Sequence, residues 1–549
     1  MTAPQEIDVL ILGAGINGAG LFRDLCEQGL TCVIADKGDF GSGTSAAPSR
    51  LIHGGIKYLE TGEFRLVAQS TLERNLLLKN APHAVTALPT VIPIFSWFRG
   101  IPAALRTLFG STTAPRSRGA VLIKAGLAIY DFYGRRHRVM PRHALWSRTR
   151  ALREIPPLTP RIVAAGTYYD AKVSHPERLV LDLVLDGLAA SPASRAFNHC
   201  RLEGADGDTV RLTPPDGLSL ALRPKIVVNA AGPWIDAVNR SLGVETRLIG
   251  GTKGSHILLD HPALLAALNG RMIYFEADDG RICLVFDYLG RALVGSTDIR
   301  ADDPDTVRCE EDEVAYFLQS LQSLLPGLAF DDSQIVYAYS GIRPLPRSDG
   351  TAAGLISRDH SAPVLEPDSA RRFPIVSLVG GKWTTFRGFA EEVADTLLAR
   401  LNRPRRVSTQ TLPIGGGRGH PADPAAWADE QAARLGVSAA RLLQLLPRYG
   451  TKATDLAAIE ATGTHGMPDA ADVTEAEILW LLQRECVVHL ADLALRRTDL
   501  AVTGRLTLPC LTRMADLAAQ ALGWDAARCA AELADTRAQL ETRHRYRFA

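Results

Sequence analysis

"IDVLILGAGINGAGLFRDLCEQGLTCVIADKGDF" (Ile7–Phe40) reads as strand, glycine turn, helix and strand in succession. Ile7 to Leu12 is an apolar run, Gly13-Ala14-Gly15-Ile16-Asn17-Gly18 is the turn, and the helix runs to about Gln28. Cys32 to Ala35 forms the second strand and Asp36 follows it. A lone GxGxxG says little. Between a strand and a helix, with an acid after the next strand, it is a dinucleotide site. Gly13 permits the tight turn, Gly15 lets backbone approach a pyrophosphate, and Gly18 lets the helix pack on the strand. The helix N-terminus then offers N–H donors and partial positive charge to the phosphates. Asp36 can accept from ribose hydroxyls and would repel a 2′-phosphate.

This fingerprint does not separate NAD from FAD. Two distant segments favour FAD. "IVVNAAGPW" (Ile226–Trp234) is a buried strand ending in a small-residue turn at Ala231 and Gly232, open to close approach. "FPIVSLVGGKWTTFRGF" is another strand, then Gly380 and Gly381, then Lys382, Thr384 and a helix, offering a second anion site. Contacts this dispersed suit an elongated FAD held inside the protein.

The motifs "GAGINGAG", "GTSAAPSRLIHGGIKYLETGEFRLV", "VNAAGPW", "KGSHI", "VGSTD", "YSGIRPL" and "GGKWTTFR" occur in an order that resembles the FAD-dependent, quinone-linked glycerol-3-phosphate dehydrogenases. The likeness runs from about Ile7 to Leu412 and is fainter in the C-terminal helices. It implies an α/β fold: a Rossmann-like FAD-binding domain, an antiparallel-sheet substrate domain and a C-terminal helical domain. In the family, the stretch matching Thr44, Ser45 and Ser49 through His53-Gly54-Gly55 runs along the flavin, where Gly54 and Gly55 are expected to clear space beside it. Positions matching Lys57, Tyr58, Arg343 and Lys382 surround the substrate and its phosphate. Arg358 matches another arginine of that neighbourhood, and His256 a histidine able to face the ring. The family usually carries arginine at the Lys57 position, in "HGGLRYLE"-like text. Lysine keeps the charge but loses the bidentate fork. "YYDAKVSHPERLVLD" likewise departs from the family's "DDAR" text.

Oxidising a secondary alcohol with FAD requires a hydride acceptor, a base for the hydroxyl proton and a grip on the substrate. Arg343, Lys382 and Lys57 suit a dianionic phosphate, with Tyr58 adding a hydroxyl. His53 and His256 are both candidates for the base, because imidazole titrates near neutrality. The expected activity is oxidation of sn-glycerol 3-phosphate to dihydroxyacetone phosphate, with electrons passed to quinone. The alternatives are a dehydrogenase of another polyol phosphate, a flavin amine or amino-acid oxidase, and a flavin-binding sensor without turnover.

The remaining sequence bounds the setting. The chain has 549 residues, 46% hydrophobic and 22% charged, with 61 basic against 60 acidic side chains, so net charge makes no case for nucleic acid. Eight cysteines without CxxC spacing fit a reducing compartment. No N-terminal signal pattern and no apolar run of the ~18 residues a spanning helix needs are read. The expected location is the cytoplasm, at the cytoplasmic face of the inner membrane. From Val91 to Met140, Trp, Phe and Leu interleave with eight Lys and Arg against Asp131, which suits peripheral contact with anionic lipid or an ordinary basic hairpin. Runs such as "RMIYFEA", "RICLVFD" and "QIVYAYSGI" read as antiparallel strands. The FAD-dependent region is expected over 1–411, with the FAD-binding domain from about 1–90, 160–245 and 340–405 and cap segments between. A Gly/Pro-rich linker is expected over 412–426 and a helical domain over 427–549, with a packing or homodimer role. Thr474 and Glu477 have capping-box spacing there.

Overall fold

A computed structural model describes residues 3–59, 62–98, 119–135, 139–301, 303–348 and 359–548. Gln5–Leu12 is the central strand of a sheet with Leu220–Asn229 and Cys32–Ala35 parallel on its two sides. Ile375–Ser377 and Arg195–Phe197 extend the parallel order outward. Val9, Leu10 and Ile11 have no exposed surface, as expected for a strand covered on both faces. The Ile16–Glu27 helix lies on one face, where Phe22 and Leu25 share a core with Leu183, Phe386 and Val393. The short, apolar second strand brings Asp36 beside the glycine turn, because its last residue, Ala35, pairs with Leu12.

The second sheet is mainly antiparallel, and the predicted strand runs are its members. Its spine is the pairing of Ile249–Leu259 with Ile335–Pro346, in which His256 faces Tyr339, Gly254 faces Gly341 and Thr252 faces Arg343. Side chains alternate between faces with the pleat. Ile257 and Val294 therefore pack under the Pro262–Leu268 and Glu311–Leu324 helices, on Leu264 and Phe317. Leu258, Phe286 and Tyr337, on the other face, join the core of the C-terminal helices with Leu481, Leu493 and Met514. One sheet face thus carries both the site and its helical neighbour.

The glycine-rich stretch after Leu412 is packed against the protein at its start. Gly415, Gly416 and Gly417 are buried, and a Cβ on each would run into Asp182, Tyr449 and Asn80 respectively. Those glycines close a seam. Thr474 caps the Glu475–Arg484 helix by accepting from the Glu477 N–H at 3.0 Å. The Glu477 carboxylate turns instead to Arg441 at 2.8 Å and the Tyr449 hydroxyl at 2.6 Å, since it is buried and needs charge-assisted partners.

The basic, aromatic segment is described in part. Val91–Ile94 belongs to the Val85–Ile94 strand, where Val91 and Ile94 are buried, so the interfacial reading does not apply to them. Phe95, Trp97 and Phe98 are exposed beyond it, and residues 99–118 and 136–138 lie outside the described ones. The Ala120–Tyr133 helix exposes Val121, Ile129 and Phe132 and buries Ile123, Leu127 and Tyr130. Among the described residues no helix is long and apolar enough to cross a membrane.

Candidate active site

A cavity of about 820 Å³ lies where the two sheets and the C-terminal helices meet. That size is within the usual range for small-molecule sites, roughly 300–1,000 Å³. Its walls include Asp36, Cys200 and Val238, the glycine-turn residues Gly13, Gly15 and Asn17, and Thr44, Ser45, Gly341 and Thr384.

One part of the wall is built by the glycine turn. Gly13 has φ +107°, and a Cβ there would lie 2.6 Å from the Ala230 carbonyl oxygen, so no other residue fits without displacing the "NAAG" turn. Gly18 does not line the cavity; a Cβ on it would overlap the Gly13 carbonyl oxygen, so its lack of a side chain holds turn against helix. Asp36 accepts from the Ala14 N–H at 2.6 Å and the Gly38 N–H at 2.9 Å. Burial raises its pKa while these donors oppose the rise. Asn17 Oδ1 is buried here with no protein partner, and its Nδ2 donates to the Gly380 carbonyl at 3.4 Å. Ala231 and Gly232 also line the cavity, and Gly380 and Gly381, at φ +73° and +88°, line it from just beyond the parallel strand Ile375–Ser377. A backbone cradle at a helix N-terminus, a half-buried acid after the second strand and a polar atom of a cavity-lining asparagine left without a protein partner fit FAD.

The loop Thr44–Arg50 continues the wall and is clamped from three directions. Ser45 Oγ accepts from the Ile16 N–H at 2.9 Å, Thr44 Oγ1 donates to the Ile342 carbonyl at 2.6 Å, and Ser49 Oγ bonds His256 Nε2 at 2.8 Å. Three further clamps went unread although they sit inside quoted motifs. Trp383 donates to the Ser45 carbonyl at 3.4 Å, the Tyr339 hydroxyl donates to the Pro48 carbonyl at 2.8 Å, and Arg50 pairs with Glu177 at 2.8 Å. The "SHPER" text that departs from the family lies at this seam, with Arg178 paired to Glu485 of the helical region at 2.6 Å.

His53 and Tyr58 both line the cavity, their rings stacked with centroids 6.2 Å apart. Lys382 Nζ sits 3.7 Å from the centre of the Tyr58 ring and donates to Ser70 Oγ at 3.1 Å. Such an ammonium on an aromatic face is stabilised by the ring quadrupole. Arg343 lines the cavity from the antiparallel sheet, with Nη1 3.0 Å from Asp298 and Nη2 donating to Ser296 and to the Thr297 carbonyl. It is therefore both an ion-pair partner and a wall residue.

Gly54 and Gly55 differ from their reading as clearance for a cofactor. A Cβ on Gly54 would overlap the Tyr130 hydroxyl and lie 2.6 Å from Thr71. One on Gly55 would overlap the Tyr58 ring and approach Lys382 Nζ to 3.0 Å. The space they leave is filled by protein. Lys57 is described only by its backbone, in the short Ile56–Leu59 turn of helix, and Arg358 lies outside the described residues.

The two histidines have unlike surroundings. His256 is buried and stacked on Tyr339 at 4.9 Å, and its pKa is held well below the usual imidazole value, first by burial and then by the Arg343 and Arg50 charges. His53 is half-buried at the cavity wall.

Comparison with known proteins agrees with this geometry. The sequence profile described as FAD dependent oxidoreductase matches residues 8–396, and that of the C-terminal domain of alpha-glycerophosphate oxidase matches residues 407–529. A glycerol-3-phosphate dehydrogenase of Synechocystis sp. is 32% identical over 95% of this chain and 94% of its own. A D-erythritol 1-phosphate dehydrogenase of Brucella abortus is 29% identical over 91% of this chain and 95% of its own. The crystal structure of a Bacillus halodurans glycerol-3-phosphate dehydrogenase complexed with FAD shares the fold, with a TM-score of 0.75 at 21% identity over 98% of this chain and 95% of that one. With both parts of the chain matched and the full-length relatives aligned nearly end to end, the protein belongs to the FAD-dependent glycerol-3-phosphate dehydrogenase family.

Proposed function

We propose that the enzyme oxidises sn-glycerol 3-phosphate to dihydroxyacetone phosphate and passes the electrons to quinone at a membrane surface. The observation that carries the substrate class is the convergence of two cations on the cavity from different sheets. Arg343 comes from the antiparallel sheet and Lys382 from the turn after the parallel strand Ile375–Ser377. A polyol phosphate has little apolar surface, so its phosphate is the group that such cations grip. When bound, FAD supplies the hydride acceptor. Asp298 and Ser296 orient the Arg343 fork; Ser70 and the Tyr58 ring orient the Lys382 ammonium. The hydroxyl proton is taken at an imidazole nitrogen of His53, leaving His256 to hold Ser49 and the flavin-facing loop. Membrane contact is supported by exposed Phe95, Trp97, Phe98, Ile129 and Phe132 beside exposed Lys124 and Arg135.

Alanine in place of Arg343 or Lys382 is expected to raise KM for glycerol 3-phosphate by roughly 10- to 100-fold, the worth of a hydrogen bond to a charged group, about 1.5–3 kcal/mol. FAD content should be unchanged. Steady-state kinetics with an artificial acceptor measures this, and wild-type KM in both variants contradicts the clamp. D-erythritol 1-phosphate belongs in the same assay, because the Brucella relative of comparable coverage is named for it and Lys57 replaces the family's arginine. A higher kcat/KM with the longer polyol would assign the enzyme to that substrate instead.

A further inference from the structure

The His53-Gly54-Gly55 turn is held by groups that are not among the residues lining the cavity. The Gly54 N–H donates to the Tyr130 hydroxyl oxygen at 2.9 Å and to Asp170 Oδ1 at 3.0 Å. Arg74 Nη1 donates to the same hydroxyl at 2.6 Å, to the same carboxylate oxygen at 2.9 Å, and to the Tyr169 carbonyl at 3.2 Å. The Tyr130 hydroxyl in turn donates to Asp170. Arg74 is 4%, Tyr130 2% and Asp170 2% exposed, so the group is closed to water. Its members come from three elements: the Phe64–Asn80 helix, the Ala120–Tyr133 helix and the Ala164–Val173 strand.

Three elements do not converge by chance on one backbone N–H. A lone buried amide needs a single acceptor, and two oxygens, one of them anionic and pinned by an arginine, exceed that need. Because the peptide is planar, fixing the Gly54 N–H fixes the plane of the His53–Gly54 bond and hence the direction in which His53 leaves the backbone. The Gly54 position also admits no side chain, because the Tyr130 hydroxyl and Thr71 occupy its place.

We infer that Arg74, Tyr130 and Asp170 are positioning residues that set the orientation of the His53–Tyr58 turn against bound flavin and substrate. This rests on the reading of His53 and Tyr58 as site residues given above. Asp170 is the part that could have been noticed, lying in the "YYDAKV" text where the family's acidic motif falls. Tyr130 lies on the helix whose outer face exposes Ile129 and Phe132, so the same helix borders both solvent and the site.

The test uses the FAD-loaded enzyme with Tyr130→Phe, Asp170→Asn and, as a packing control on the same helix, Tyr133→Phe. Two readouts are taken: the visible circular dichroism of bound flavin without substrate, and kcat separately from KM. The expected result is a changed flavin dichroism in Tyr130→Phe and Asp170→Asn, with kcat lowered on the order of tenfold or more, KM within about twofold and FAD stoichiometric. Tyr133→Phe should match wild type in both readouts. Wild-type dichroism and kcat in Tyr130→Phe and Asp170→Asn overturn the inference, as do equal changes in Tyr133→Phe. If wild type does not turn over the polyol phosphate, the substrate reading fails by itself and the dichroism decides this one. If Asp170→Asn does not fold, Tyr130→Phe, which loses one hydroxyl, carries the test.

Discussion

Alanine at Gly18 is expected to give a folded protein that purifies colourless. The added Cβ would overlap the Gly13 carbonyl oxygen and lie 3.1 Å from the Ala230 side chain. Gly13 has nowhere to retreat: its N–H is bonded to the Ala35 carbonyl at 2.8 Å, and its own φ of +107° is closed to residues with a side chain. The turn must open instead, which carries the helix N-terminus and its N–H groups away from the pyrophosphate position. Overpacking of this kind costs about 1–3 kcal/mol, which a chain with a core this extensive can absorb. The same displacement taken from the cofactor, at about 3 kcal/mol, weakens FAD binding roughly a hundredfold or more. The ratio of flavin to protein absorbance after purification measures it. Stoichiometric FAD in Gly18→Ala would show that the turn does not hold the cofactor as described.

His53→Asn is expected to lower kcat by roughly 100- to 10,000-fold, the usual range for loss of a general base, with FAD retained. The contrast with His256→Asn is the informative part. His256 is buried beside the Arg343 and Arg50 charges, which disfavour its protonated form, so accepting a proton in the reaction runs against its surroundings. Its Nε2 is already engaged by Ser49, so His256→Asn should loosen the loop and cost less in kcat. His53 lines the cavity beside Tyr58, with the Lys382 ammonium over that ring. Steady-state kcat in both variants, normalised to flavin content, decides between them. A larger loss in His256→Asn would move the base to that residue.

What could be read from the residues alone was what is local. Gly13 to Asp36 spans one strand–turn–helix–strand unit, so the sterics that demand glycine and the acid that closes the site lie within one stretch of chain. The antiparallel strands were equally plain, because the alternation of Val285 and Phe286 between two cores, within the "RICLVFD" run, is written in the pleat. The "HGG" turn shows the limit. Its glycines were read as room for flavin, but the groups that require them, Tyr130 and Tyr58, include one that is far off in sequence and arrives only through packing of the Ala120–Tyr133 helix. The glycines after Leu412 were read only as the mark of a linker. Composition alone does not tell a glycine that bends from one that lets Tyr449 and Asp182 come close. Arg343 was read as a phosphate ligand; the fold adds an ion pair with Asp298 and a place at the cavity wall.

If this cavity holds FAD where a polyol phosphate can reduce it, anaerobic mixing of the purified holoenzyme with glycerol 3-phosphate bleaches the absorbance of oxidised flavin. Bleaching is expected within the turnover time, faster than with glycine or proline, and is expected to be lost in His53→Asn. Flavin that stays oxidised with glycerol 3-phosphate and D-erythritol 1-phosphate, yet bleaches with an amino acid, would contradict this reading of the cavity.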